Sequence, residues 1–260
     1  MTKQLRASLL LLSMFLWSSS LHAVGVEISA GGHSVTPWGM ISLKGSVLES
    51  TLGTTLDLSN DLKFGKINTF IGRVRIDSPL ILPNIYLIAH PMKFEGNSVR
   101  TISFTYGNQT FNADIPFNSM LKLDTYDLTL FYGVPGLKTA TNEILEINLG
   151  LNVRYLDFKG EISQPQSGIS ESKSLTLPIP MGFLALQVAP IKQIALEGEL
   201  KAIAYGNNRY YDLLGRLKFK PISFFFLAGG YGFQNIVINQ ESVNSDLRFG
   251  GPTLELGLEF

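Results

Sequence analysis

Glu197, Glu199 and Lys201 occupy every second position of one segment, and Asp212, Arg216 and Lys218 keep the same phase in the next. In an extended chain alternate side chains share a face, so each set stands on one side of its strand. With Gly206-Asn207-Asn208 as the turn, one register sets Glu197 beside Arg216 and Lys201 beside Asp212. A slip of two residues would instead pair Glu197 with Lys218 and Glu199 with Arg216. Either way opposite charges on adjacent strands come within reach of cross-strand pairing. Glu146 and Arg154 occupy a similar face in an earlier segment, and Glu255 does so in the last. Such charges can line a polar channel or a small-solute site, or they can close on one another and fill a narrow barrel. The second outcome is expected, because barrels of about eight strands are filled by side chains.

Other chemistry has little material. Cysteine is absent, so disulfides and thiolate metal sites are excluded. Of three histidines, His22 falls in the leader described below, and His33 and His90 remain. A clustered histidine metal site or a two-histidine relay is not expected. His33 and Ser34 are neighbours on an extended segment and point to opposite faces. A catalytic group needs a partner within hydrogen-bond reach, and no spacing here supplies one. A non-enzymatic protein without cofactor or metal is therefore expected. The alternative is an enzyme acting on lipid A or peptides at an extracellular rim, with His90 or His33 beside a carboxylate. Gly229-Gly230-Tyr231-Gly232 lacks the lysine and helix of a phosphate loop.

These charges are positioned by strands. Lys3 and Arg6 precede an apolar stretch over residues 9–17, then Ser18-Ser19-Ser20 and Leu21-His22-Ala23, the pattern of a secretory leader cut after Ala23. Losing it leaves 19 basic against 21 acidic residues, a net charge of about −2, with no basic excess to hold nucleic acid. Residues 175–191 are the best uncharged stretch for a membrane helix, but Pro178, Pro180 and Pro190 interrupt it. Over residues 145–155, Leu145, Ile147, Leu149, Leu151, Val153 and Tyr155 alternate without fault against Glu146, Asn148, Gly150, Asn152 and Arg154. Eleven residues match the length of a tilted membrane-crossing strand. Tyr126, Leu128, Leu130 and Tyr132 likewise oppose Asp127, Thr129 and Phe131, and Phe70, Gly72, Val74 and Ile76 oppose Arg73, Arg75 and Asp77. The chain ends on Leu254, Leu256, Leu258 and Phe260 alternating with Glu255, Gly257 and Glu259, the form of a closing barrel strand that assembly machinery reads.

Turn signals at 79–84, 135–136, 189–192, 206–208 and 220–223 divide the chain, and longer polar stretches at 96–120, 160–173 and 239–244 are expected to be extracellular loops. Strands are expected near 245–260, 222–238, 209–220, 191–205, 173–189, 143–158, 122–134, 83–97 and 67–79, with one broken strand within 24–46. That makes an all-β, antiparallel up-and-down barrel of ten strands, with eight to twelve as the bounds. The 96–120 stretch has room for an extra hairpin, and residues 56–64 fit a short helix or an ordered loop. Pro91, Pro178, Pro180 and Pro252 should mark bulges or strand ends, with Gly250-Gly251-Pro252 the leading bulge, since Leu247 and Phe249 change phase there. Phe224, Phe225, Phe226, Tyr210, Tyr211, Tyr126 and Tyr132 fit two aromatic girdles at the membrane surfaces.

The segments Asp57-Leu58-Ser59-Asn60-Asp61-Leu62, Leu82-Pro83-Asn84-Ile85, Tyr126-Asp127-Leu128-Thr129-Leu130-Phe131-Tyr132, Asn148-Leu149-Gly150-Leu151-Asn152-Val153-Arg154-Tyr155 and Asp246-Leu247-Arg248-Phe249-Gly250-Gly251-Pro252 carry a resemblance. Together they give a chain similar, over nearly the whole length after the leader, to a family of uncharacterised proteobacterial outer-membrane β-barrel proteins. The resemblance implies a barrel in the bacterial outer membrane, in contact with its lipid, and no particular activity. On the residues alone the expected role is structural, or the binding or passage of a small solute. Adhesion through residues 97–118 and 164–173 is a further alternative.

Overall fold

The computed structural model describes residues 25–43, 53–79, 81–239 and 243–260. The expected leader, residues 1–23, lies outside them. In chain order the strands are β1 (Gly25–Leu43), β2 (Leu56–Asp57), β3 (Ile67–Asp77), β4 (Asn84–His90), β5 (Lys93–Ser98), β6 (Phe104–Tyr106), β7 (Gln109–Phe111) and β8 (Phe117–Gly133). They continue as β9 (Leu145–Gln164), β10 (Ile169–Ile191), β11 (Ile194–Tyr205), β12 (Asn208–Ile222), β13 (Phe225–Asn239) and β14 (Val243–Glu259). Each wall strand pairs antiparallel with its neighbours, and β14 returns to β1 from Glu27↔Glu259 to Leu43↔Val243, closing the ladder. β4 and β5 are halves of one strand against β8, parted at Pro91, so the wall has ten strands, as the sequence leads one to expect. β6 and β7 form a separate small hairpin inside the 96–120 stretch.

Polarity inverts along the barrel. In β9, Leu149, Leu151, Val153 and Tyr155 face outward, with Leu151 72% exposed, while Asn148, Asn152 and Arg154 are buried inside. Beyond Tyr155 the pattern swaps: Asp157, Lys159 and Glu161 lie outside, and Leu156 and Ile162 are buried within. The neighbouring strand β8 swaps at the same height, from Tyr126, Leu128 and Leu130 outside to Lys122 and Asp124 outside with Leu121 and Leu123 inside. Tyr126 and Tyr155 pair across the two strands, ring centres 6.5 Å apart, where a girdle at a membrane surface belongs. The apolar-out part of β9, residues 145–155, spans about 25 Å at ~3.3 Å per residue and ~40° tilt, the height of a membrane-embedded band. Beyond it the wall is built like a water-soluble barrel.

This inversion corrects the expected bulge at Gly250-Gly251-Pro252. β14 keeps one register against both β1 and β13 throughout. Leu247 and Phe249 are buried on the same inner face as Thr253 and Glu255, and it is the interior that changes from apolar to polar. The 160–173 stretch is likewise no loop: β9 and β10 run through it to a three-residue 3-10 turn, Pro165–Ser167. Pro178 and Pro180 are neither bulges nor ends. Their register with β9 is unbroken, but β11 stops pairing with β10 at Gly182↔Ala202, so residues 169–181 keep only one ladder partner and the prolines sit where the second is missing.

The upper interior is filled by the connection between β1 and β3. Leu56, Leu58, Leu62 and Phe64 pack fully buried against wall residues that include Met92, Phe94, Leu156 and Phe249. The segment is an ordered loop rather than a helix. Asp57 Oδ1 accepts from the backbone N–H of Ser59 and Asn60 at 2.9 and 2.7 Å, and the Leu58 N–H donates to Gly39 O at 2.9 Å. Gly39 has φ +115, and a Cβ there would stand 1.9 Å from Asp246 O, so only glycine fits this contact.

Candidate functional site

The inverted wall leaves the membrane-embedded half with a polar lumen, and the charged residues read from the sequence meet there. The hairpin of β11 and β12 takes the register that sets Glu197 opposite Arg216 and Lys201 opposite Asp212. Three tiers follow from the end carrying Gly25 and Phe260. In the lowest, Lys218 Nζ lies 2.5 Å from Glu27 and 3.0 Å from Glu259, and Glu146 is held by Arg75 at 2.9 Å and by Lys138 at 2.5 Å. In the second, Arg216 Nε donates to Glu197 at 2.5 Å, while Arg73 Nε lies 3.0 Å from Glu255, which is fully buried. Tyr86 accepts from Arg73 at 2.8 Å and donates to Glu199 at 3.0 Å.

The third tier centres on Arg154, only 2% exposed. Its Nε and Nη2 fork onto both oxygens of Asp127 at 2.7 Å each, it pairs with Asp212, and Nη1 donates to the Tyr210 hydroxyl at 2.7 Å. Lys201 Nζ reaches the same Asp127 at 2.6 Å. Bidentate arginine–carboxylate contacts of this kind are strong and geometrically specific. All eight charged candidates, Glu146, Arg154, Glu197, Glu199, Lys201, Arg216, Lys218 and Glu255, thus point inward and each has an opposite charge or hydrogen-bond partner.

Several interior residues escaped the sequence reading. Tyr86 lies in the uniformly apolar run Ile85-Tyr86-Leu87-Ile88-Ala89, which carries no alternation to mark its face. Tyr210 and Phe226, expected in the girdles, are instead buried inside, Tyr210 on Arg154 and Phe226 with Lys218 Nζ 4.1 Å from its ring centre. The two histidines are a larger correction. Neither is near a rim: His33 and His90 stack in mid-lumen, with His33 Nδ1 3.0 Å from His90 Nε2 and His33 Nε2 3.2 Å from Gly251 O. A carbonyl only accepts, so in the neutral pair His33 carries its proton on Nε2 and accepts at Nδ1 from His90 Nε2–H. They lie 57 positions apart in sequence, on β1 and β4, which flank β3 in the wall, and they meet across β3 on the concave inner face.

What these tiers can do is neutralise one another. The cavity between His33, Asp127, Arg154 and Asp212 and the one between Glu27, Tyr86, Glu197 and Arg216 each hold about 30 Å³, room for a water or two. A closed antiparallel ladder, apolar and aromatic-banded outside and ion-filled inside, defines the class: a membrane-spanning β-barrel of the outer-membrane type. No protein-family model matches the chain, and no curated protein matches it. Among solved structures it is similar to the translocator domain of the autotransporter NalP from Neisseria meningitidis, at 11% identity and TM-score 0.42 over 99% of this chain and 95% of that one. It is also similar to Ail, the attachment invasion locus protein of Yersinia pestis, at 11% identity and TM-score 0.37 over 92% of this chain and 100% of that one. Likeness this low carries no activity from one barrel to another.

Proposed function

We propose that the chain is an exported, non-enzymatic protein of the bacterial outer membrane whose barrel is a closed scaffold. In this reading residues 1–23 are a leader removed after Ala23, and the closing strand ending at Phe260 is read by the barrel-assembly machinery. Glu146, Arg154, Glu197, Glu199, Lys201, Arg216, Lys218 and Glu255 then serve to shut the lumen, and do not line a path for solute. The observation that carries this is the filling of the lumen by two materials in series: tiers of compensated charge in the embedded half, and above them the buried Leu56, Leu58, Leu62 and Phe64 side chains of the β1–β3 connection. A small solute would have to part both. Liposomes containing the folded protein are expected to swell in sugars and amino acids no faster than protein-free liposomes. Swelling that rises with protein content would replace the scaffold reading with one of solute passage.

A further inference from the structure

On the outer wall above the Tyr126 and Tyr155 pair, three lysines stand abreast. Lys93 lies opposite Lys122 across β5 and β8, and Lys122 lies opposite Lys159 across β8 and β9. Like charges directly opposite one another on a sheet repel. Lys122 is braced by Asp157 at 2.7 Å and Asp124 at 3.1 Å, while Lys159 and Lys93 lean to Glu161 and Glu95 on their own strands at 2.8 and 2.6 Å. The Lys93 and Glu95 side chains are 59% and 68% exposed, and ion pairs so open to water contribute about 0–1 kcal/mol. Lys93 can turn to a stronger anion at little cost, while Lys159 and Lys122, 42% and 36% exposed, face the same side with their carboxylate partners kept.

Directly above this row the wall is indented. An open cavity of about 520 Å³ is lined by Glu95, Asn97, Asn118, Met120, Glu161 and Ser163 among others. Carboxylates, carboxamides and a hydroxyl grouped round a thioether both donate and accept hydrogen bonds, which suits the adjacent hydroxyls of a sugar. Ammonium groups below suit a phosphate. Lys122 and Met120 stand four and six residues beyond Tyr126 along β8, about 10 and 15 Å further along the barrel axis at ~3.3 Å per residue and ~40° tilt. A sugar-bearing headgroup anchored below the girdle would stand in that layer.

We propose that this outer face binds one phosphorylated glycolipid of the outer leaflet, its phosphate on Lys93, Lys122 and Lys159 and its first sugars in the cavity above. The inference rests on the membrane placement given under the proposed function. Its test is native mass spectrometry of the full barrel released from nanodiscs of phosphatidylethanolamine and phosphatidylglycerol. The nanodiscs also carry a small fraction of a bis-phosphorylated glucosamine-disaccharide glycolipid bearing its inner sugars. One glycolipid should be retained per barrel, with retention about ten-fold weaker, some 1.4 kcal/mol, after enzymatic dephosphorylation of the glycolipid and in the K93Q/K122Q/K159Q variant. Equal retention of the phosphorylated and dephosphorylated forms by the wild-type chain overturns the proposal, as does phosphatidylglycerol retained equally well, and neither result depends on a variant folding. A barrel that enters nanodiscs and retains no glycolipid contradicts this site alone, whereas one that never enters them contradicts the membrane placement.

Discussion

Arg216 shows what a buried charge does in this lumen. It is held by Glu197 at 2.5 Å and reaches Glu255 at 3.4 Å, all three side chains being nearly shut off from solvent. Removing one partner of a buried pair leaves the other uncompensated and costs about 3–5 kcal/mol, whereas replacing both by apolar groups of similar size is often neutral. Arg216→Ala should therefore lower the unfolding free energy in urea titrations of the lipid-reconstituted barrel by that amount, and the double variant E197Q/R216M should recover most of the loss. Equal losses in the two would show that the charge left uncompensated on Glu197 is not what destabilises the single variant. That Arg216 meets a glutamate of β11 was legible because period-two spacing fixes a face, whereas the turn left two registers open, with Glu197 or Glu199 as the partner, and the structure takes the first. The stacking of His33 on His90 was not, because period-two spacing fixes a face but does not record which residues meet across an intervening strand.

Among the elements, strands that cross the membrane with one polar and one apolar face announced themselves, and β9 is the clearest of them. The upper halves of β8, β9 and β14 were harder, because polarity changes side while direction does not. In β14 the change from Leu247 and Phe249 inside to Glu255 inside imitates a bulge, although the register is constant. The upper part of β10 adds a different lesson. With only β9 paired to residues 169–181, its other edge presents backbone groups to pairing by foreign strands, a liability that proline removes. Replacing Pro178 and Pro180 together by Ala restores two N–H groups to that edge. More self-association than wild type is expected by light scattering at matched concentration, and an unchanged distribution would mean the prolines do not guard it.

Across the whole molecule, one closed wall carries two different interiors. Below the Tyr126 and Tyr155 level the outside is apolar and the inside ionic; above it the outside is charged and the inside a hydrophobic core completed by residues 56–64. Each interior obstructs the axis by its own physics, one by compensated charge that excludes a hydrated ion, the other by close packing that excludes water. Removing the upper obstruction alone should thus leave the lower one standing. Planar-bilayer recording of the purified, folded protein tests this most directly, with wild type beside a chain whose residues 54–65 are replaced by a short Gly-Ser linker. A closed scaffold passes no sustained unitary current in either protein, and steady unitary steps from the wild type would contradict it.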